Sequence, residues 1–259
     1  MTATADAPGR LGTIGGLRAG LKLAAMVVWL GACLLLYYAW KVLPGSNPWP
    51  RRFLRGLGWL AGARVRCVGG PLRRGAVLLA NHQSWLDIPI LAGVSGTAFV
   101  AHAGLAESAL LKWLCEMNDT VFVTRTERGS IAGQVAQVRE ALSETGALAI
   151  FPEGTTTDGS RLLPFKSALL SALDPPPPRI AVQPVWLDYG REAAAIAWVG
   201  DEHGVANFLR VLARPRSFAV TAHFLAPFDP AVVGDRKAIA REARERVARV
   251  MRTGYPIGG

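Results

Sequence analysis

Residues Ala76-Val77-Leu78-Leu79-Ala80 form a wholly apolar run that passes directly into Asn81-His82-Gln83-Ser84-Trp85-Leu86-Asp87. A short apolar run of this kind reads as a strand covered on both faces, central in a largely parallel sheet. In such sheets ligand sites form beyond the carboxyl ends of the strands, so a histidine two residues past the run is placed for chemistry. An imidazole can take a proton from a hydroxyl. A carboxylate on its other nitrogen then fixes the tautomer and stabilises the imidazolium. His82 and Asp87 are that candidate pair, and the arrangement repeats the histidine and aspartate of a serine-protease triad with a substrate hydroxyl in place of the serine. On one straight helix the two side chains would point ~140° apart, so the spacing predicts a turn entering a helix. The competing structural reading makes Asn81 a helix cap and His82 a satisfied core histidine.

Other strands extend outward from this run. Residues 64–68, 97–101, 121–124, 147–151, 180–187 and 218–225 are apolar or alternating, and helical stretches at 106–116 and 130–144 lie between them. Strands alternating with helices predict an α/β fold, a mostly parallel sheet flanked by helices. Asp235 is placed to cap a final helix whose Ile239, Ala243, Val247 and Val250 share a stripe. At 259 residues the chain suits one catalytic unit with an appendage.

The appendage is N-terminal. Leu23 to Trp40 is an uncharged run of 18 residues between Lys22 and Lys41, roughly 27 Å as a helix against a hydrocarbon core of about 30 Å. It has no small-residue cleavage site after Tyr38, so it reads as a retained anchor, either spanning or pairing with the amphipathic stretch 49–60 as a helical hairpin. The expected division is 1–60 for the basic N-terminus and anchor and 61–259 for the catalytic domain. Net charge is +10 and lies entirely in residues 1–86, which hold eleven Lys and Arg against Asp6; the remainder carries 18 of each sign. Cations flanking an apolar segment point to an anionic membrane surface rather than nucleic acid. The expected location is the inner membrane, with the catalytic domain on its cytoplasmic side. The three cysteines have neither an even count nor CxxC spacing, so neither a disulfide framework nor a zinc site is indicated; no metal and no cofactor are expected. His102, His203 and His223 stand in no ligand spacing.

A second chemical stretch is Phe151-Pro152-Glu153-Gly154-Thr155-Thr156, again after an apolar strand, with Leu163-Pro164-Phe165-Lys166 downstream. Backbone donors, a hydroxyl pair and a cation suit an anionic headgroup. With the NHxxxxD block at 81–87, the FPEGT block at 151–155, Phe122-Val123-Thr124-Arg125 and Val182-Gln183-Pro184-Val185, the chain resembles the glycerophospholipid acyltransferase family typified by 1-acylglycerol-3-phosphate acyltransferase. The blocks stand in family order over about residues 65 to 190. The resemblance implies direct acyl transfer from acyl-CoA or acyl-ACP to a lysolipid hydroxyl. His82 would be the base, Asp87 its partner, and Asn81, Arg125, Glu153, Gly154, Thr155 and Lys166 the acceptor-binding residues.

Lysophosphatidate is the first acceptor expected and lyso-ornithine lipid the alternative. Asp119 stands where the family carries glycine, and Ser167 where a second cation is common. Both changes remove features that favour phosphate, and Ser84-Trp85-Leu86-Asp87 and the run 155–159 resemble the lyso-ornithine branch. A non-catalytic lipid-binding protein and a thioester hydrolase are the rivals; the first has no need of His82, Asp87 and Glu153 together.

Overall fold

The computed structural model describes residues 12–102, 121–123 and 131–253. Its sheet contains β1 (Ala63–Val68), β2 (Ala76–Ala80), β3 (Ala98–His102), β4 (Val121–Val123), β5 (Ala147–Ile150), β6 (Ala181–Asp188) and β7 (Phe218–Phe224), in the order β1-β7-β6-β2-β5-β3-β4. The expected helix at 106–116 lies outside the described residues.

β2 is central because it has nothing polar to offer water. It pairs in parallel with β5 on one side and β6 on the other, and all five of its residues are buried. Alternation then divides its side chains between two cores. Leu78 and Ala80 join the core that also holds Leu86, Ile90 and Phe218, whereas Val77 and Leu79 join Val138, Leu173 and Ile239. The first core lies under helices α2 (Trp49–Ala61) and α3 (Asp87–Ser95); the second lies under α4 (Ile131–Thr145) and the C-terminal helix (Arg236–Thr253). Asp235 caps that last helix, its Oδ1 accepting from the backbone N–H groups of Lys237 and Ala238 at 3.0 and 2.8 Å.

One pairing departs from the parallel rule. β6 and β7 are antiparallel, and β1 follows β7, so β1 and β7 run against the other strands. The segment between β6 and β7, which includes α5 (Gly204–Leu212), stays at one end of the sheet and returns there. Trp198 N–H donates to the Gln83 carbonyl at 2.8 Å, so this segment roofs the end of the sheet where His82 lies.

The N-terminal helix, α1 (Thr13–Trp40), has 28 residues and is longer than the apolar run alone predicts. Lys22 does not end it, because its ammonium donates to the Arg214 and Ala61 carbonyls at 3.2 and 3.4 Å. The helix is long and apolar enough to cross a membrane. Its outer face is bare, with Val28 and Leu35 at 73% and 76% exposure. α1 folds back on α2: Asn47 Nδ2 donates to the Tyr37 carbonyl at 3.0 Å, and Trp29 Nε1 to the Phe53 carbonyl at 3.2 Å. Trp29 lies over Gly56, where a Cβ would come within 2.1 Å of the indole nitrogen.

α2 in turn packs against α3 at Gly93, where a Cβ would stand 2.8 Å from the Arg55 Cα. Backbone cannot yield as a side-chain tip can, so Gly93→Ala should cost about 1–3 kcal/mol, a fall in Tm of about 2–10 °C, measured by circular dichroism on the detergent-solubilised chain. Gly31→Ala in α1 meets nothing within 4 Å and should cost nothing. Equal losses in the two variants would show that the α2–α3 approach is not the constraint.

Candidate active site

The carboxyl end of β2 delivers Asn81 and His82 into a tight turn, and Asp87 opens α3. The turn brings the pair together as the spacing predicts: His82 Nδ1 lies 2.8 Å from Asp87 Oδ2. The same oxygen accepts the backbone N–H groups of Gln83 at 2.6 Å and Ser84 at 2.8 Å. Tyr189 donates its hydroxyl to Oδ1 at 2.5 Å. Asp87 is fully buried, while the His82 side chain keeps 20% exposure. Because Asp87 offers only accepting oxygens to this set of donors, Nδ1 carries the proton in its hydrogen bond and the imidazole lone pair sits on Nε2.

The Phe151 to Thr157 loop fixes the rest of the histidine. Phe151 stacks on the imidazole, ring centroids 4.3 Å apart. Glu153 Oε1 accepts the His82 N–H at 2.9 Å and Oε2 accepts the Leu163 N–H at 2.8 Å. Thr157 N–H donates to the His82 carbonyl at 2.9 Å. The backbone of His82 is therefore gripped on both sides. Burial pushes the Glu153 carboxyl up, and its two backbone donors and His82 pull it partly back. Tyr189, buried and beside the Asp87 carboxylate, is held well above the usual phenol range, so it remains a donor.

The other expected site residues separate into two groups. Asn81 is buried and splices β2 to β6: its Nδ2 donates to the Leu187 carbonyl at 3.1 Å and its Oδ1 accepts the Leu187 N–H at 2.7 Å. Glu153 is likewise buried, both oxygens committed to backbone. Thr155 and Lys166 are exposed and offer their side chains to solvent near the loop, whereas Gly154 is half-buried and its N–H donates to the Phe151 carbonyl at 3.1 Å. The Thr156 hydroxyl donates to the Trp198 carbonyl in the roof. Arg125 and Asp119 lie outside the described residues. Of the remaining histidines with described side chains, His203 caps α5 and His223 stacks on Trp186 at 4.7 Å.

Tyr189 is the residue that sequence reasoning missed. It stands immediately after β6, at the same end of the sheet as His82. Its position just past a strand was the available signal; the 102 residues separating it from Asp87 hid the contact. Together these groups can accept a proton at Nε2 and hold the resulting imidazolium against a fixed carboxylate.

The family model described as Acyltransferase matches residues 64–188. The lyso-ornithine lipid O-acyltransferase of Brucella abortus is 32% identical to this chain over 93% of it and 96% of its own length. The 1-acyl-sn-glycerol-3-phosphate acyltransferase of Neisseria gonorrhoeae is 29% identical over 68% of this chain and 69% of its own. The crystal structure of the 1-acyl-sn-glycerophosphate acyltransferase of Thermotoga maritima shares the fold, with a TM-score of 0.67 at 20% identity over 92% of this chain and 94% of that one.

The geometry of Asn81 gives a stability prediction. Asn81→Ala leaves the buried Leu187 N–H without its partner, a cost of about 1–3 kcal/mol, and should lower Tm measurably in a thermal melt. Lys166→Ala, at an exposed side chain, should leave Tm unchanged. An unaltered Tm in Asn81→Ala would return Asn81 to the surface of the site.

Proposed function

The chain belongs to the acyltransferase family and is an acyltransferase, and from that premise we propose that it moves a fatty acyl group from a thioester donor to the free hydroxyl of a lysolipid, with His82 as general base. The observation that carries this reading is the His82 Nδ1 to Asp87 contact at 2.8 Å, which leaves Nε2 free on a ring that keeps 20% exposure. Nε2 takes the hydroxyl proton as the oxygen attacks the thioester carbonyl. The tetrahedral intermediate expels the thiolate, and the proton passes from His82 to that sulfur. An ester and a free thiol result, with no acyl-enzyme. Thr155, Gly154 and Lys166, with Arg125, receive the acceptor's polar end. Asn81 and Glu153 act one step back, holding the strand end and the His82 backbone. Acyl-CoA or acyl-ACP is the donor, and no cofactor takes part.

For the acceptor, the order given by sequence motifs is reversed. Lyso-ornithine lipid comes first and lysophosphatidate second, because the Brucella abortus relative aligns along nearly the whole chain while the Neisseria gonorrhoeae relative aligns over about two thirds. Asp119 and Ser167 fit this order, since each replaces a group that would favour a phosphate dianion. An ornithine headgroup carries an ammonium and a carboxylate, and asks for less positive charge.

Residues 1–60 serve as the anchor and 61–259 as the catalytic domain in this reading, at the cytoplasmic face of the inner membrane. The bare outer face of α1 and the all-cationic charge of residues 7–86 support membrane attachment.

General-base assistance is worth about 10²- to 10⁴-fold, so His82→Ala should lose activity by that factor while its Tm stays within a few degrees of wild type. Retention of more than about a tenth of the activity would place the base elsewhere. Tyr189→Phe removes one donor to a charged group, worth about 1.5–3 kcal/mol. Its kcat should fall by up to about 100-fold with KM held; unchanged kcat would make Tyr189 a packing residue.

A competition between lyso-ornithine lipid and lysophosphatidate for one acyl donor, read by mass spectrometry of the products, tests the acceptor. Acylated ornithine lipid should exceed phosphatidate at least tenfold. Dominant phosphatidate would restore the other order, and free fatty acid alone would make the protein a hydrolase.

A further inference from the structure

A groove of about 400 Å³ opens between α2, the outer edge of β1 and α3. Its floor is apolar, formed in part by Gly58, Ile90 and Val94, and its rim carries Arg55, Arg64 and Arg66. Among the described residues no carboxylate lines it. The described residues that line it include neither His82, Asp87 nor any of 151–157, and its outer wall, β1, stands three positions from β2 in the sheet, roughly 14 Å at ~4.8 Å per strand, so the groove is distinct from the His82 centre.

The rim cations are uncompensated. Among the described residues no Asp or Glu lies within ion-pair distance of Arg55, Arg64 or Arg66. Arg64 is nonetheless fixed: its guanidinium lies 4.9 Å from the Trp59 ring centre, and its Nη1 donates to the Trp59 and Ala63 carbonyls at 3.0 and 3.2 Å. Its remaining N–H groups are held ready on a stem that has already lost its freedom. Trp59 itself is 58% exposed at this rim, as aromatic residues are at membrane interfaces. Nearby Arg51 is lowered from its usual range, first by burial and then by the like charges of Arg73 and Arg55. Such crowding of cations is relieved by a bound anion.

We propose that this groove is a discrete site for one anionic phospholipid, its phosphate held by Arg55, Arg64 and Arg66 and the glycerol and first acyl carbons laid on the apolar floor. Three features favour a lipid over an acidic protein. The guanidiniums rim a concavity rather than a flat patch. The concavity has an apolar bottom, which a carrier protein's carboxylates would not use. And α2, which forms one wall, carries on its other flank the bare α1, the element suited to a bilayer. The site goes beyond the diffuse attraction of a basic N-terminus, because it has fixed donors and a stoichiometry of one. It does not depend on which lysolipid the enzyme acylates.

The test is native mass spectrometry of the full chain in non-ionic detergent, titrated with dihexanoyl phosphatidylglycerol. Wild type should saturate at one lipid. Arg55→Gln/Arg66→Gln should weaken that binding at least tenfold, whereas Arg241→Gln/Arg249→Gln, which removes the same charge from the exposed face of the C-terminal helix, away from the groove, should change it less than about twofold. Gly58→Leu keeps every cation and fills the floor, so it should also lose the bound lipid. Equal losses from the two arginine pairs, or full binding in Gly58→Leu, would reduce the groove to a diffuse field. Displacement of the lipid by an equal concentration of inorganic phosphate would show that the lipid body contributes nothing and overturn the assignment. Retention of lipid by Arg55→Gln/Arg66→Gln, with loss of binding to an acyl carrier protein, would hand the groove to a protein partner.

Discussion

The structure is organised around a carboxylate that water cannot reach. Asp87 is fully buried, and a buried charge is tolerable only when its lone pairs are filled. Four donors fill them: an imidazole, two turn amides and a phenol. Each comes from a different structural commitment. The amides require the tight turn after β2, the phenol requires β6 to end beside it, and α3 must begin at Asp87 itself, where the positive end of the helix also favours a negative charge. A chain that fails to assemble any of these leaves a partly paired charge in the core. The geometry of the His82 and Asp87 pair and the fold are therefore one constraint.

The loop after β5 carries the second layer. Its glutamate and threonine grip the backbone of His82 from both sides and its phenylalanine lies under the ring. Residues that read from their chemistry as headgroup ligands turn out, in part, to hold one another. Glu153 and Asn81 belong to this scaffold, and Thr155 and Lys166 are what is left facing outward. The roof between β6 and β7 closes the set by tying Thr156 and Gln83 to Trp198.

What was legible in the sequence follows from this division. β2 and β5 were readable within about a residue at each end, because strands buried on both faces leave uninterrupted apolar runs; β6 and β7 were readable as closely, from runs interrupted at Gln183 and Pro184 and at Thr221 and His223. The His82 and Asp87 turn was readable because five residues cannot bridge them on a straight helix. Strand direction was not, since nothing in the composition of β7 records which way it runs. The first ten residues of α1 were missed because Arg18 and Lys22 interrupt the apolar run, although Lys22 only reaches across to two carbonyls. Tyr189 was missed because a contact between distant chain segments has no local mark. Acceptor preference was only half legible: the motif blocks pointed to lysophosphatidate, while the two departures at Asp119 and Ser167 agree with the lyso-ornithine lipid O-acyltransferase that aligns along nearly the whole chain.

The position of β1 bears on how the chain assembles. Synthesis delivers α1, α2 and β1 first, and the helical hairpin can close on its neighbours in sequence at little entropic expense. β1 cannot. Its partner, β7, is one of the last strands made, with Ala63 opposite Phe218. During that interval β1 is a bare ribbon, and bare ribbons pair with whatever strand comes past. Arg64 and Arg66 sit on it as gatekeepers, making it a poor template for a stranger while it waits for the chain to return.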